Sequence, residues 1–501
     1  MQLSKSLDPL IQALSDHFHL RSAIALLQWD QEIYMPQGSL KSRVNQLASL
    51  SAQLHRLGCS SAFESILATY VDLNTGSTIQ ENLNQADQRL LNLTYKQWLK
   101  NRALPEDFVK DFAALKSESQ HYWQKARHEN KRQLFLPYLS RMVDAQARYA
   151  SYIDATKPVY DVLLDDYEEG MTESQLISLF DPLKESLSLI LKNRSHDDEK
   201  SYLDHCEFDI KKQKQLNHFL LDEVGFSSKY GRMDVSAHPF TTSFHPQDVR
   251  ITTRYAKNDL SEALSSTLHE AGHGMYEQGL PLKWAGLPVG DAVSLGIHES
   301  QSRLWENMIM KSMPFWQSYY PYLQDLFKSQ LKRVSLDQFY AHISRVKPGF
   351  IRVEADEVSY NLHIFIRFDL ERRLVSGDLS VKDLPNAWND AYHRFLGLDI
   401  QSDSQGFLQD VHWSCGLFAY FPTYTLGNIY AAQLFECLKK DVIKNHGYHK
   451  ALFAEIKTWL DSHIYQFASL HKAADLMKKI TGKNLNSDIF LRYINEKYAR
   501  P

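Results

Sequence analysis

The chain has 501 residues, a net charge of -4 and 44% hydrophobic residues, enough to bury a sizeable core. That charge gives a nucleic-acid partner no electrostatic support. The four cysteines, Cys59, Cys206, Cys415 and Cys437, include no C-x-x-C pair, which argues against a disulfide scaffold or a cysteine-held zinc and suits a reducing, cytoplasmic setting.

Met1 to Leu10 carries charges and lacks the apolar run of a secretory signal. Leu40, Val44, Leu47, Leu50 and Leu54 then form a helical stripe that Gly58 closes. Thr172 and Gln175 make a capping box for a helix running to about Arg194. The clearest β signal lies at Val235 to Tyr255, with strand formers on either side of a His245-Pro246-Gln247-Asp248 turn. Asn258 to Gly279 reads as one amphipathic helix: Leu260, Leu264 and Leu268 recur every four residues, and Asn258 or Asp259 can cap its start. A further helix is expected from about Val293 to Met313, stopped by Pro314, and a long one between Gly349 and Gly377. Trp413 to Phe435 has no charge and could span a bilayer by length. Its proline, glycines, tyrosines and threonines favour a buried segment beside a polar site instead. The last 60 residues read as two or three helices. No linker or repeat divides the chain, so a mainly α fold in one catalytic domain over 1–501 is expected.

The chemistry is carried by His269-Glu270-Ala271-Gly272-His273. Histidines four apart stand one turn above each other on a helix, so both imidazoles can reach one zinc ion. The glutamate between them lies beside the metal, where it can take a proton from the attacking water. Gly272 and Gly274 are poor helix formers, which implies that something approaches that backbone closely. The plainer alternative is a core helix with two partly buried histidines. A catalytic zinc needs a third protein ligand and an open position. The next helix offers His298, Glu299 and Glu306, and spacing does not choose among them. Glu262 fits better behind a ligand than on the metal.

Six short motifs follow one another: His238-Pro239-Phe240, Asp248-Val249-Arg250-Ile251-Thr252, His269 to His273, His298-Glu299-Ser300-Gln301, Ile351 to Asp356, and Gly406 to Trp413. In these motifs and their order the chain resembles the carboxypeptidase Taq family of metallocarboxypeptidases over essentially its full length. The resemblance implies an almost entirely helical fold with a small sheet and two helical lobes flanking a long, deep groove. It implies His269, His273 and Glu299 as metal ligands, Glu270 as the catalytic glutamate, and zinc or sometimes cobalt as the metal. It also implies a homodimer that removes residues from peptide C-termini with broad specificity.

For the oxyanion, Tyr424 is the first choice of donor and His412 the second, with Tyr420 one helical turn from Tyr424 and facing substrate. A terminal carboxylate is best gripped by arginine. Arg352 leads, Arg250 follows and Arg254 is third, although Arg352 could merely pair with Asp356 four residues on. The resemblance tips Arg352 toward substrate. His238 is a further substrate contact, with a plain turn histidine as the alternative. Gln409 and Asp410 are expected in the groove wall or behind the metal-bound histidines. Two rival readings remain: a helical zinc endopeptidase with the same local chemistry, and a non-catalytic helical interaction protein.

Overall fold

A computed structural model describes residues 2–194, 201–444 and 446–498. Helices dominate, and one cluster of buried apolar side chains runs from Leu7 to Tyr498. The expected helix after Thr172 forms over Glu173–Arg194, its start closed by reciprocal bonds between Thr172 and Gln175. The Leu40 stripe gives a helix over Leu40–Gly58, yet none of its residues is buried. Leu40 and Val44 remain about half exposed, at 52% and 53%. Periodicity there dictates the helix but not its burial.

Three strands form one sheet in the order β1, β3, β2. β2 (Thr241–His245) and β3 (Asp248–Thr253) make the expected antiparallel hairpin, with His245 opposite Asp248 across the turn. β1 (Gly231–Val235) was not expected; it runs parallel to β3, pairing Arg232 with Arg250. The buried Ile251 of β3 packs under the helix that follows, which we call the motif helix (Leu260–Gly279). Asp259 caps it, accepting from the main-chain N–H of Ser261 and Glu262.

The close approach anticipated at the two glycines is present. A Cβ on Gly272 would lie 2.5 Å from the main-chain oxygen of Gln301, and one on Gly274 2.8 Å from the Phe226 ring. Gly272 thereby lets the motif helix meet the next helix backbone to backbone. That next helix (Leu295–Arg303, the Glu299 helix) is shorter than expected and continues as a π-helix over Leu304–Met310. Pro314 does not end it. Pro314 sits in the first turn of a new helix, Met313–Leu326, where a missing N–H costs nothing.

The long helix expected from Gly349 starts only at Ser359 and ends before Gly377, whose φ of +85° no side chain adopts easily. The reason is Asp356. Its carboxylate accepts from the main-chain N–H of Val358 and Ser359, which opens the helix there and leaves Arg352–Glu354 as a separate 3-10 turn. The uncharged stretch from Trp413 folds as a 3-10 turn and then a buried helix, Pro422–Leu438 (the Tyr424 helix). Among the described residues no helix is long and apolar enough to cross a membrane. Three helices, Lys450–His463, Ala473–Thr481 and Ser487–Tyr498, close the chain.

Candidate metal centre

The motif helix stacks His269 and His273 one turn apart, ring centroids 4.9 Å from each other. The contact at Gly272 sets the Glu299 helix beside them. On the far side the Tyr424 helix is just as close: a Cβ on Gly427 would stand 2.4 Å from Cγ of Glu299, so only glycine leaves that side chain its place. Oε2 of Glu299 lies 3.8 Å from Nε2 of His269 and 3.4 Å from Nε2 of His273. One ligand atom from each of the three residues falls within 4.8 Å of the others. Tetrahedral bonds of about 2.0–2.1 Å place neighbouring donors about 3.3 Å apart, so this set fits a zinc-sized ion with small adjustments.

The other two candidates for third ligand stand behind the histidines. Oε2 of Glu306 accepts from Nδ1 of His269 at 2.9 Å. Nδ1 of His273 lies 2.6 Å from Nδ1 of His298, whose Nε2 is 2.8 Å from Glu277. With Nε2 of His273 turned to the ligand pocket, its Nδ1–H donates to His298, and His298 donates Nε2–H to Glu277. Carboxylates and imidazoles in these places fix ring orientation and tautomer. Glu262 takes no part; it pairs with Arg254 at the partly exposed start of the motif helix.

Electrostatics suit ligation. Burial first, and then the neighbouring imidazoles, lower His273 to about 4, so it is neutral as a ligand must be. For Glu299 burial pushes the carboxyl up, but Arg303 and the two histidines outweigh it and hold it well below the usual range. His269 is raised: burial opposes its charge, while Glu299 and Glu306 favour it. A cation in the pocket would replace that proton. Glu270 is buried and points to β2, where the Thr241 hydroxyl donates to its Oε2 at 2.6 Å. Burial raises this carboxyl, and the Thr241 bond pulls the other way.

The remaining sequence candidates sit as follows. Tyr424 lies one turn before Gly427, with its hydroxyl 3.2 Å from Nε2 of His412. Burial and then Arg352 lower His412 to about 3, so its imidazole is neutral. Tyr420 precedes the helix rather than sharing a turn with Tyr424, though their rings are 5.5 Å apart. Arg352 is buried and does not pair with Asp356. It donates from Nε to Asp410 at 2.9 Å and from Nη1 to the Tyr360 hydroxyl at 2.9 Å. Arg367 binds the other oxygen of Asp410 at 2.7 Å, and Gln409 accepts from Arg367 and from the main chain of Arg352. Asp410 and Gln409 therefore organise the arginines, not the metal-side histidines. Arg250 is held by Asp248 and lies against Trp29, its guanidinium carbon 4.2 Å from the ring centre. His238 is exposed in the bend before β2. Thr241, Arg303, Tyr360 and Glu277 escaped the sequence reading; of these only Arg303, four residues after Glu299, carried a spacing signal.

Comparison with known proteins agrees with this geometry. Residues 10–498 match the family described as carboxypeptidase Taq (M32) metallopeptidase. The chain is 36% identical to thermostable carboxypeptidase 1 of Thermus thermophilus over 98% of both chains, and 35% identical to carboxypeptidase 1 of Bacillus subtilis over 96% of this chain and 95% of that one. It superposes on the crystal structure of the M32 carboxypeptidase from Deinococcus radiodurans with a TM-score of 0.93, at 32% identity and 99% coverage of each. Likeness of this extent, in sequence and in fold, makes the chain a member of the carboxypeptidase Taq (M32) family and a metal-dependent carboxypeptidase.

Proposed function

We propose that the chain uses zinc, with cobalt as a working substitute, to remove single residues from peptide C-termini with broad specificity. The observation that carries this reading is the convergence of His269, His273 and Glu299 beside a buried Glu270. Zinc held there supplies a Lewis acid for the scissile carbonyl and makes water acidic enough to react near neutral pH. Glu270 receives the proton of the attacking water on its carboxylate and passes it to the leaving amine. Burial raises this carboxyl, which makes it a stronger base, and Thr241 keeps it aimed. Tyr424 donates its hydroxyl proton to the developing oxyanion, and His412, donating from Nε2 to the tyrosine oxygen, leaves that proton free to do so. Tyr420 and His238 contact substrate in this scheme.

Arg352 recognises the terminal carboxylate, seconded by Arg250. Both are partnered already, so the incoming carboxylate shares or displaces an existing acceptor, Asp410 or Asp248. The homodimer and the cytoplasmic setting belong to the same proposal; four free thiols accord with the latter, and light scattering tests the former. The deciding experiment is mass spectrometry of a digested peptide, with free and amidated C-termini, with and without chelator. A metal-dependent ladder from free C-termini alone is expected. Equal cleavage of the amidated peptide would point instead to an endopeptidase.

A further inference from the structure

The Glu299 helix contributes more than a ligand. It leaves α geometry at Arg303 and widens into a π-helix, a local change that recurs at functional sites. Arg303 stands at the junction, buried between two acidic side chains of its own segment. Its Nε donates to Oε1 of Glu299 at 2.7 Å, and its Nη1 donates to Oε2 of Glu306 at 3.3 Å. The same Glu306 oxygen accepts from Nδ1 of His269. These contacts link Glu299, Arg303, Glu306 and His269 in a chain whose first and last members belong to the ligand set. The guanidinium lies over the Tyr360 ring, 4.5 Å from its centre, which holds its plane in place.

Resting on the ligand assignment above, we propose that Arg303 is a positioning residue for the metal: it occupies Oε1 of Glu299 so that Oε2 is the single donor atom, and through Glu306 it turns Nε2 of His269 to the same point. Oε2 is the oxygen that faces both histidines. Ser302 Oγ, 3.3 Å away, also touches it. One-oxygen ligation leaves three protein donors and an open position for water and substrate. A lysine at 303 would keep the charge but not the planar fork that serves two carboxylates at once.

The test measures zinc and cobalt dissociation constants by chelator competition, and the absorption spectrum of the cobalt-loaded protein, which responds to coordination geometry. Arg303→Lys and Arg303→Gln, shown to be folded by circular dichroism, should bind both metals about 10–100-fold more weakly and shift the cobalt bands. Wild-type affinity with an unchanged cobalt spectrum in folded Arg303→Lys overturns the proposal. A crystal structure of the zinc-loaded wild type checks it without any substitution. Glu299 bound through Oε2 alone, with Oε1 on Arg303, supports it; both oxygens on zinc overturn it. If the wild type takes up no stoichiometric metal, or His269→Ala retains it, the ligand assignment itself has failed.

Discussion

Around His269, His273 and Glu299 each ligand's outer atom is taken by a neighbour, while the inner atoms face one another across a space of ionic size. Around Arg352 the donors already have partners: Asp410 lies between two guanidiniums, and Tyr360 accepts from Arg352. The metal half is organised to receive a guest with only small adjustments. The arginine half is complete in the absence of substrate and must trade a partner to admit one. Metal binding should therefore depend on single residues, whereas carboxylate recognition should depend on a network.

The sharpest way to break the metal half is His273→Ala. Stoichiometric metal and all peptide hydrolysis should be lost together, as read by metal analysis and a peptide assay. Glu270→Gln should separate the two properties, with metal retained and kcat/KM down roughly 10²–10⁴-fold. In the other half, Asp410→Asn strands Arg352 and Arg367 in the interior without a counter-charge. Removing one partner of a buried pair typically costs about 3–5 kcal/mol, and urea denaturation of the metal-loaded enzyme should report a loss of that size.

His412 provides a smaller, pH-dependent test. Its pKa falls from 6.5 to about 3 on folding, through burial first and the Arg352 charge second, against the pull of Asp410. Below pH 6.5 the unfolded chain takes up a proton that the folded chain refuses. The stability held above pH 6.5 is thus lost progressively toward pH 3, by up to about 1.4 kcal/mol per pH unit. His412→Gln should flatten that slope in denaturation midpoints measured from pH 7 to 5; an unchanged slope would show that His412 does not carry it. The smallest effect is expected at the surface. Leu40→Gln, on a half-exposed helix face, should alter stability by less than about 0.5 kcal/mol.

The same division marks what could be read from the chain. The motif helix was legible to its cap because Asp259, the leucine period and the two glycines all act within a few residues. The choice among His298, Glu299 and Glu306 is not, because an unbroken α-helix puts Glu299 and Glu306 on one face. The real segment turns into a π-helix after Arg303, and the backbone meeting at Gly272 selects which side chain faces the histidines. The partner of Arg352 is hidden for a related reason. Asp356, its neighbour in sequence, is engaged in opening a helix, and the partner it does use lies 58 residues on. β1 is hidden because its strand partner among the described residues, β3, runs parallel to it and lies beyond β2 in the chain.

Thr241 has one more consequence. Its hydroxyl touches both the carboxylate and the main-chain oxygen of Glu270, so β2 and the motif helix are tied together at that residue. β2 is an outer strand whose Phe244 carbonyl is taken by Ser22, and a peptide laid along the rest of its edge would be indexed against Glu270 in steps of one residue, about 3.3 Å. Such an edge works as a ruler whose zero mark is a carboxylate and whose graduations ignore side chains. That is a measurement suited to a carboxypeptidase, which works from one end of its substrate.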